Sequence, residues 1–273
     1  MADDEDNIDT LEAIAARMQA ESERQREATG HQLPLLPPGV GGLPHSVARS
    51  SMFTANKPGR KKIHEMTPMG PPSKEGVLLF SGHELNQADL DVVLEIFHRY
   101  AGEQTGKPVK FSRRGLLNDM GKGVGNSQYQ WLMKSLDRLS FALLKVETDD
   151  YIGTAGILKY DYDPATEEYS IIIDRRAAQF LSASHLAYID LGKRKMLPPK
   201  DYLAKYLQGL VSSHKKGLEV CETYKVLQKQ AGQSGRLDKF KNRYLPRAFA
   251  ALKEAGVVEA YRFSSDRAYW KRA

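Results

Sequence analysis

The feature that most restricts how this chain can fold is an order of elements that occurs twice. In its first occurrence, the apolar run 77–80 reads as a strand. A helix follows, capped by Asn86, with Leu90, Val93, Leu94, Phe97 and Tyr100 at helical spacing. Residues 109–111 are extended, Ser112 opens a second helix through Leu116, Leu117 and Met120, and Gly121 stops it. The turn 121–125 gives onto a third helix from Asn126 to about Ser140. The runs 142–147, 154–162 and 168–173 are rich in β-branched and aromatic residues and read as strands, with a turn at 163–166. In the second occurrence, 198–215 and 222–230 read as helices, 233–235 as a turn and 237–255 as a third helix. A hairpin closes it over 257–263 and 268–271.

Helix, helix, turn, helix and β-hairpin is the plan of a winged helix. The expected fold is therefore α+β, with two tandem winged-helix domains over residues 76–195 and 196–273. Residues 1–75 are expected to be a disordered tail and linker, acidic at first and then rich in Pro and Gly.

The third helices carry the functional signal. In the first, Tyr129, Leu132, Met133, Leu136 and Leu139 share one side, at steps of three and four. Ser127, Trp131, Lys134 and Arg138 point the other way, with Gln130 on the flank and Lys122 in the preceding turn. This outward set holds no acid, whereas a merely solvated face mixes Glu with Lys. Gln pairs with adenine edges, Arg with guanine, and Lys and Ser with phosphates or bases. In the second, Leu237, Phe240, Tyr244, Leu245, Ala248, Ala251, Leu252 and Ala255 form the inner stripe. Lys239, Asn242, Arg243 and Lys253 face out, and Arg236 enters the helix. Pro246 falls on the outward side, where a lost backbone bond costs least.

Charge agrees with a polyanionic partner. The net charge is +6, but residues 1–30 contain nine acids against three bases, so the rest is more basic than the total suggests. Residues 201–273 alone hold 15 basic and 7 acidic side chains.

Enzyme chemistry finds no support. The nearest approach to a phosphate loop, residues 102–108, is one residue short and ends in Pro108. The seven histidines make no His-x-His or His-x-x-x-His pair, and Cys221 is the single cysteine. No catalytic residue, metal or cofactor is expected. The acidic N-terminus does not read as a signal peptide, and no apolar run approaches the roughly 20 residues of a membrane span, so a cytoplasmic protein is expected.

Several separated stretches carry a family resemblance. Residues 82–92 (Gly-His-Glu-Leu-Asn-Gln-Ala-Asp-Leu-Asp-Val) and 125–132 (Gly-Asn-Ser-Gln-Tyr-Gln-Trp-Leu) resemble the first domain of TrfA-type plasmid replication initiators. The stretch 254–259 and the ending Trp270-Lys271-Arg272 resemble the close of that family's second domain, and 46–53 the segment before its first. The resemblance implies a bacterial, cytoplasmic protein that binds origin repeats in double-stranded DNA. It would open the origin without its own ATPase and recruit the host replicative helicase machinery. It also implies a monomer in balance with an inactive homodimer. Within the tail, Gln32, Leu33, Leu35 and Leu36 resemble the short peptides that dock on the host sliding clamp, where an extended segment buries its leucines on the partner. The competing function is a transcriptional repressor using the same two domains, and a third possibility is a DNA-binding partition or scaffold protein.

Overall fold

A computed structural model describes residues 35–57, 59, 62–70, 76–103, 106–147, 152–174, 176–177 and 186–273. The described residues open with β1 (Val40–Pro44), α1 (His45–Ala48) and the two-residue β2 (Phe53–Thr54), then β3 (Ile63–Pro68), β4 (Val77–His83) and β5 (Leu85–Asn86). The first large helix, α2 (Gln87–Tyr100), starts at a full capping box. The Asn86 side chain accepts from the amides of Ala88 and Asp89, and Asp89 accepts from the amide of Asn86 at 3.0 Å. After β6 (Val109–Ser112) comes α3 (Arg113–Asp119), capped by Ser112 Oγ, which accepts from Gly115 N at 3.0 Å. Gly121, at φ +67°, makes the left-handed exit from α3 that a side chain would resist. α4 (Asn126–Ser140) follows, then β7 (Leu143–Glu147), β8 (Ile152–Gly156), β9 (Leu158–Asp163) and β10 (Glu168–Ile173).

β11 (Leu186–Asp190) and the short α5 (Leu191–Met196) lead into the second half. There α6 (Tyr202–Ser212), β12 (Glu219–Thr223) and α7 (Tyr224–Gln230) precede the turn. The third helix is built from α8 (Leu237–Lys239), a π-helical turn at Phe240–Tyr244, and α9 (Leu245–Glu254). β13 (Val258–Phe263) and β14 (Arg267–Arg272) close the chain.

The two halves share a topology. In the first, the strand after the opening helix pairs with the far strand of the hairpin, in the order β6-β10-β9. The second repeats it as β12-β14-β13. The first half adds an insertion. β7 and β8, placed between the third helix and the hairpin, join β4 and β3 in a four-stranded antiparallel sheet. Each half buries its own apolar cluster. Leu90, Leu94, Leu116, Leu132, Leu136 and Ile171 centre the first, and Leu207, Leu227, Phe240, Phe249, Leu252 and Trp270 the second.

Residues 40–57 and 62–68, expected to be tail and linker, are instead part of the folded body. β1 pairs with β11, β2 pairs with β5, and Val40, Leu43, Val47, Met52 and Phe53 are buried. Gly41 and Gly42, which suggest a flexible linker, serve close packing here. A Cβ on Gly41 would come within 2.9 Å of Leu94. The same strap touches the second half, where the amide of Ala55 donates to Ala231 O at 2.8 Å. A Cβ on Gly232, itself at φ +68°, would come within 2.5 Å of Thr54. Leu36 is also buried, lying against Gly42, and Leu35 lies against Gly102, so the proposed clamp peptide ends inside the folded body rather than clear of it. Gln32 and Leu33 lie outside the described residues.

Two further expectations change. Residues 219–223 form a strand, although 222 and 223 read as helix, because pairing with β14 outweighs a local preference. The run 154–162 divides at Ile157 into β8 and β9, which belong to different sheets.

Candidate nucleic-acid interface

The first third helix, α4, seats Leu132, Leu136 and Leu139 on the core and leaves Ser127, Gln130 and Lys134 exposed, one turn apart along its outer side. The helix starts at Gly125 with no side-chain cap, so its first amides are open to an acceptor from outside. Trp131 is half-buried against the core, and Lys122 places its ammonium 4.4 Å from the indole centroid. The indole is therefore a shelf that positions the turn lysine, not a bare outward ring.

Arg138 does not belong with this exposed set. Its guanidinium is drawn back onto α2, 2.5 Å from Asp89, a fully buried carboxylate that also receives Ser135 Oγ at 2.7 Å. The pair ties α4 to the capping box of α2. Helical spacing alone places Arg138 outward, but a buried carboxylate demands a cation, and Arg138 is long enough to supply it.

In the second half, Arg236, Lys239, Asn242, Arg243 and Lys253 are all exposed. Arg236 makes a two-pronged pair with Asp238, at 3.0 and 2.8 Å, on the open surface where such a pair contributes little. The helix carrying these residues is interrupted by a π turn that ends at Tyr244, two residues ahead of Pro246. Proline lacks an amide and crowds the carbonyl four residues back, and a wider turn removes that clash. The turn takes up one extra residue, so Leu245 rather than Tyr244 follows Phe240 onto the inner side. Tyr244, expected inside, is 45% exposed beside Arg243.

Sequence reasoning also missed residues that link the third helices to their hairpins. Lys241 donates to Ser265 O at the hairpin tip (2.6 Å) and lies 5.1 Å from the Tyr224 ring centroid. In the first half, Arg113 pairs with Glu167 at the hairpin tip and covers the Tyr129 ring at 4.0 Å. The only signal for these partners is a cation near a helix start, which many sequences share.

The two hairpins differ in charge. β9, β10 and their turn carry Lys159 against Asp161, Asp163, Glu167 and Glu168. The Ala165 amide and the Thr166 hydroxyl hold the Asp163 carboxyl below its ordinary range. β13, β14 and their turn carry Arg262, Arg267, Lys271 and Arg272 against Glu259 and Asp266.

Among the described residues, no group of three or more His, Cys, Asp or Glu side chains is placed to hold a metal ion, and no helix is long and apolar enough to cross a membrane.

This mixed α/β architecture is shared with two solved structures of RctB. The selenomethionine-labelled structure of its domains 2 and 3 superposes with a TM-score of 0.55 at 11% identity, covering 84% of this chain and 98% of that one. A second structure of RctB domains 2 and 3 gives 0.51 at 10% identity, with 84% and 97% covered. At this identity the match establishes a common fold. No protein-family model matches the chain, and no curated protein does.

Proposed function

We propose that this chain is a plasmid replication initiator, built as two winged-helix domains that bind repeated origin sites in double-stranded DNA. The observation that carries the reading is the repeated helix–strand–helix–turn–helix–hairpin, each copy presenting a third helix with exposed amide and basic side chains, one lysine in the first and several cations in the second. Gln130 and Asn242 suit adenine edges, Arg243 suits guanine, and Ser127, Lys122, Lys134, Lys239 and Lys253 suit phosphates. The fold shared with domains 2 and 3 of RctB, a replication initiator, supports the same class.

In this reading the domains divide near residue 196, and the two third helices enter successive major grooves about 10.5 bp apart. The protein opens the neighbouring duplex through binding energy alone, without an ATPase, and hands it to the host helicase. The clamp peptide at residues 32–36 would have to lift Leu36 from its seat against Gly42 in order to dock.

Footprinting on the plasmid that encodes the chain, combined with permanganate probing of unpaired thymines, tests the reading. Two protected grooves per repeat and reactive thymines beside them are expected. Protection without opening would turn the assignment to the repressor. A single protected half-site, unchanged by deleting residues 196–273, would remove the two-helix reading. In the same extracts, Gln32→Ala with Leu33→Ala should abolish clamp pull-down and leave the footprint intact, and equal retention would make the segment linker only.

A further inference from the structure

The two halves meet at a polar junction centred on α5. Its three consecutive cations reach in three directions. Lys193 Nζ donates to Gly256 O at 2.8 Å, just past the end of α9. The Lys195 side chain lies against Gly121, in the turn before α4. Between them, Arg194 is 3% exposed.

The Arg194 guanidinium is bonded to the opening helix of both halves at once. On α2 its Nε donates to Asp91 Oδ1 at 2.6 Å, and its Nη2 donates to Gln87 Oε1 at 3.0 Å and Gln87 O at 3.3 Å. On α6 its Nη1 donates to Lys205 O at 3.0 Å and Gln208 Oε1 at 3.4 Å. The five N–H donors of a guanidinium are thus matched by five bonds, in a planar geometry that tolerates little rotation. Lys205 Nζ closes the network on Asp91 Oδ2 at 2.6 Å. Burial pushes the Asp91 carboxyl up, but Arg194 and Lys205 outweigh it and hold the group below its ordinary range.

Packing beside the network is incomplete, although α6 packs on β11 and α2 elsewhere. A half-open cavity of about 110 Å³ sits beside the network, lined in part by Leu94, Met120, Leu191 and Leu197, with Lys122 and Lys195 also on its wall. A buried ionic network adds little net stability against an apolar replacement, but its directional bonds specify one arrangement. Here that arrangement is the angle between the halves, and so between α4 and the third helix of the second half.

We propose that Arg194 is a positioning residue that sets the spacing and phase of the two DNA-reading helices, and so makes the chain selective for the length of DNA between its half-sites. The inference rests on the function proposed above. Inserting one base pair between half-sites displaces them by 3.4 Å and about 34°. A rigid junction cannot follow that movement, whereas a hinged one can.

The test measures binding of the full chain to its footprinted site and to versions with one or two base pairs inserted at the centre. The parent should lose tenfold or more in affinity with one inserted pair. Arg194→Met should lose less than threefold, and should bind the unaltered site within a few-fold of the parent because neither reading helix is touched. Asp91→Asn and Lys205→Met, which leave Arg194 in place, should fall between. Folded variants that keep the parent's full spacing penalty would overturn the proposal. A second measurement needs no DNA: spin labels at Gln130→Cys and Lys239→Cys, in a Cys221→Ser background, should give a narrow distance distribution in the parent and a broad one in Asp91→Asn or Lys205→Met. Equal widths would overturn it, even if Arg194→Met fails to fold. If the parent binds no DNA but the distances still broaden, the function fails and the junction's role in holding the angle stands.

Discussion

The two halves use one topology with opposite electrostatic emphasis. The second carries cations on both the third helix and the hairpin, with Arg243 and Lys239 on one and Arg262, Arg267 and Lys271 on the other, the last three paired with Glu219, Asp266 and Glu259. The first presents Ser127, Gln130 and Lys134 on its helix beside a hairpin that is net acidic. In the proposed DNA-binding role, an acidic hairpin would be repelled by a phosphate backbone, which would leave the first half its helix and turn for contact. The comparison teaches that copying a scaffold does not copy its contacts. In the function proposed above, the second half would supply most of the affinity and the first would read through Ser127 and Gln130 beside a single exposed lysine, Lys134.

The largest expected effect breaks an assumed similarity between Arg138 and Arg243, which occupy comparable faces in sequence. Arg138→Met strands the buried Asp89 and should cost about 3 kcal/mol of stability. Chemical denaturation should show it, while the protein that remains folded binds the cognate site as the parent does. Loss of DNA selectivity at unchanged stability would return Arg138 to the reading surface.

Next, Arg243→Ala should weaken cognate binding by about 1–3 kcal/mol if it reads a base, and Gln130→Ala by about 1 kcal/mol, in titrations at fixed salt. A phosphate-only role for Arg243 would instead weaken cognate and random DNA alike and shallow the salt dependence by about one contact. Equal losses for the two variants, with identical salt slopes, would erase the division of labour between halves.

The smallest effect concerns the first hairpin. Asp161→Asn with Asp163→Asn should raise affinity for random DNA by roughly two- to threefold at low salt and leave specific affinity nearly unchanged, since screening and distance weaken exposed charges. A drop in affinity would mean that this hairpin contacts bases rather than standing clear.

Much of the fold was legible because its signals are local. Asn86, Ser112 and Gly121 punctuate helices wherever they occur in such patterns, and the leucines of α4 repeat at the spacing of one face. What was not legible depends on partners remote in the chain. Val40 to Pro44 becomes a strand only because Leu186 to Asp190 lies alongside it. Arg138 turns inward only because Asp89 is buried beneath it. The exposure of Tyr244 follows from a widened turn that a fixed angle per residue cannot anticipate. Arg194, the most highly bonded group between the halves, sits in sequence among lysines and reads as one more surface cation.

The strap from β1 to Ala55 has a consequence in time. It is synthesised before either half, and while β2 finds β5 soon afterwards, two of its other partners, β11 and Ala231, leave the ribosome far later. Val47, Met52 and Phe53 join the core of the first half, but the bond from Ala55 to Ala231 can form only once the second half has been made. A segment made near the start thus holds an end that can be fastened only after Ala231 emerges, the way a drawstring sewn in first is pulled tight last.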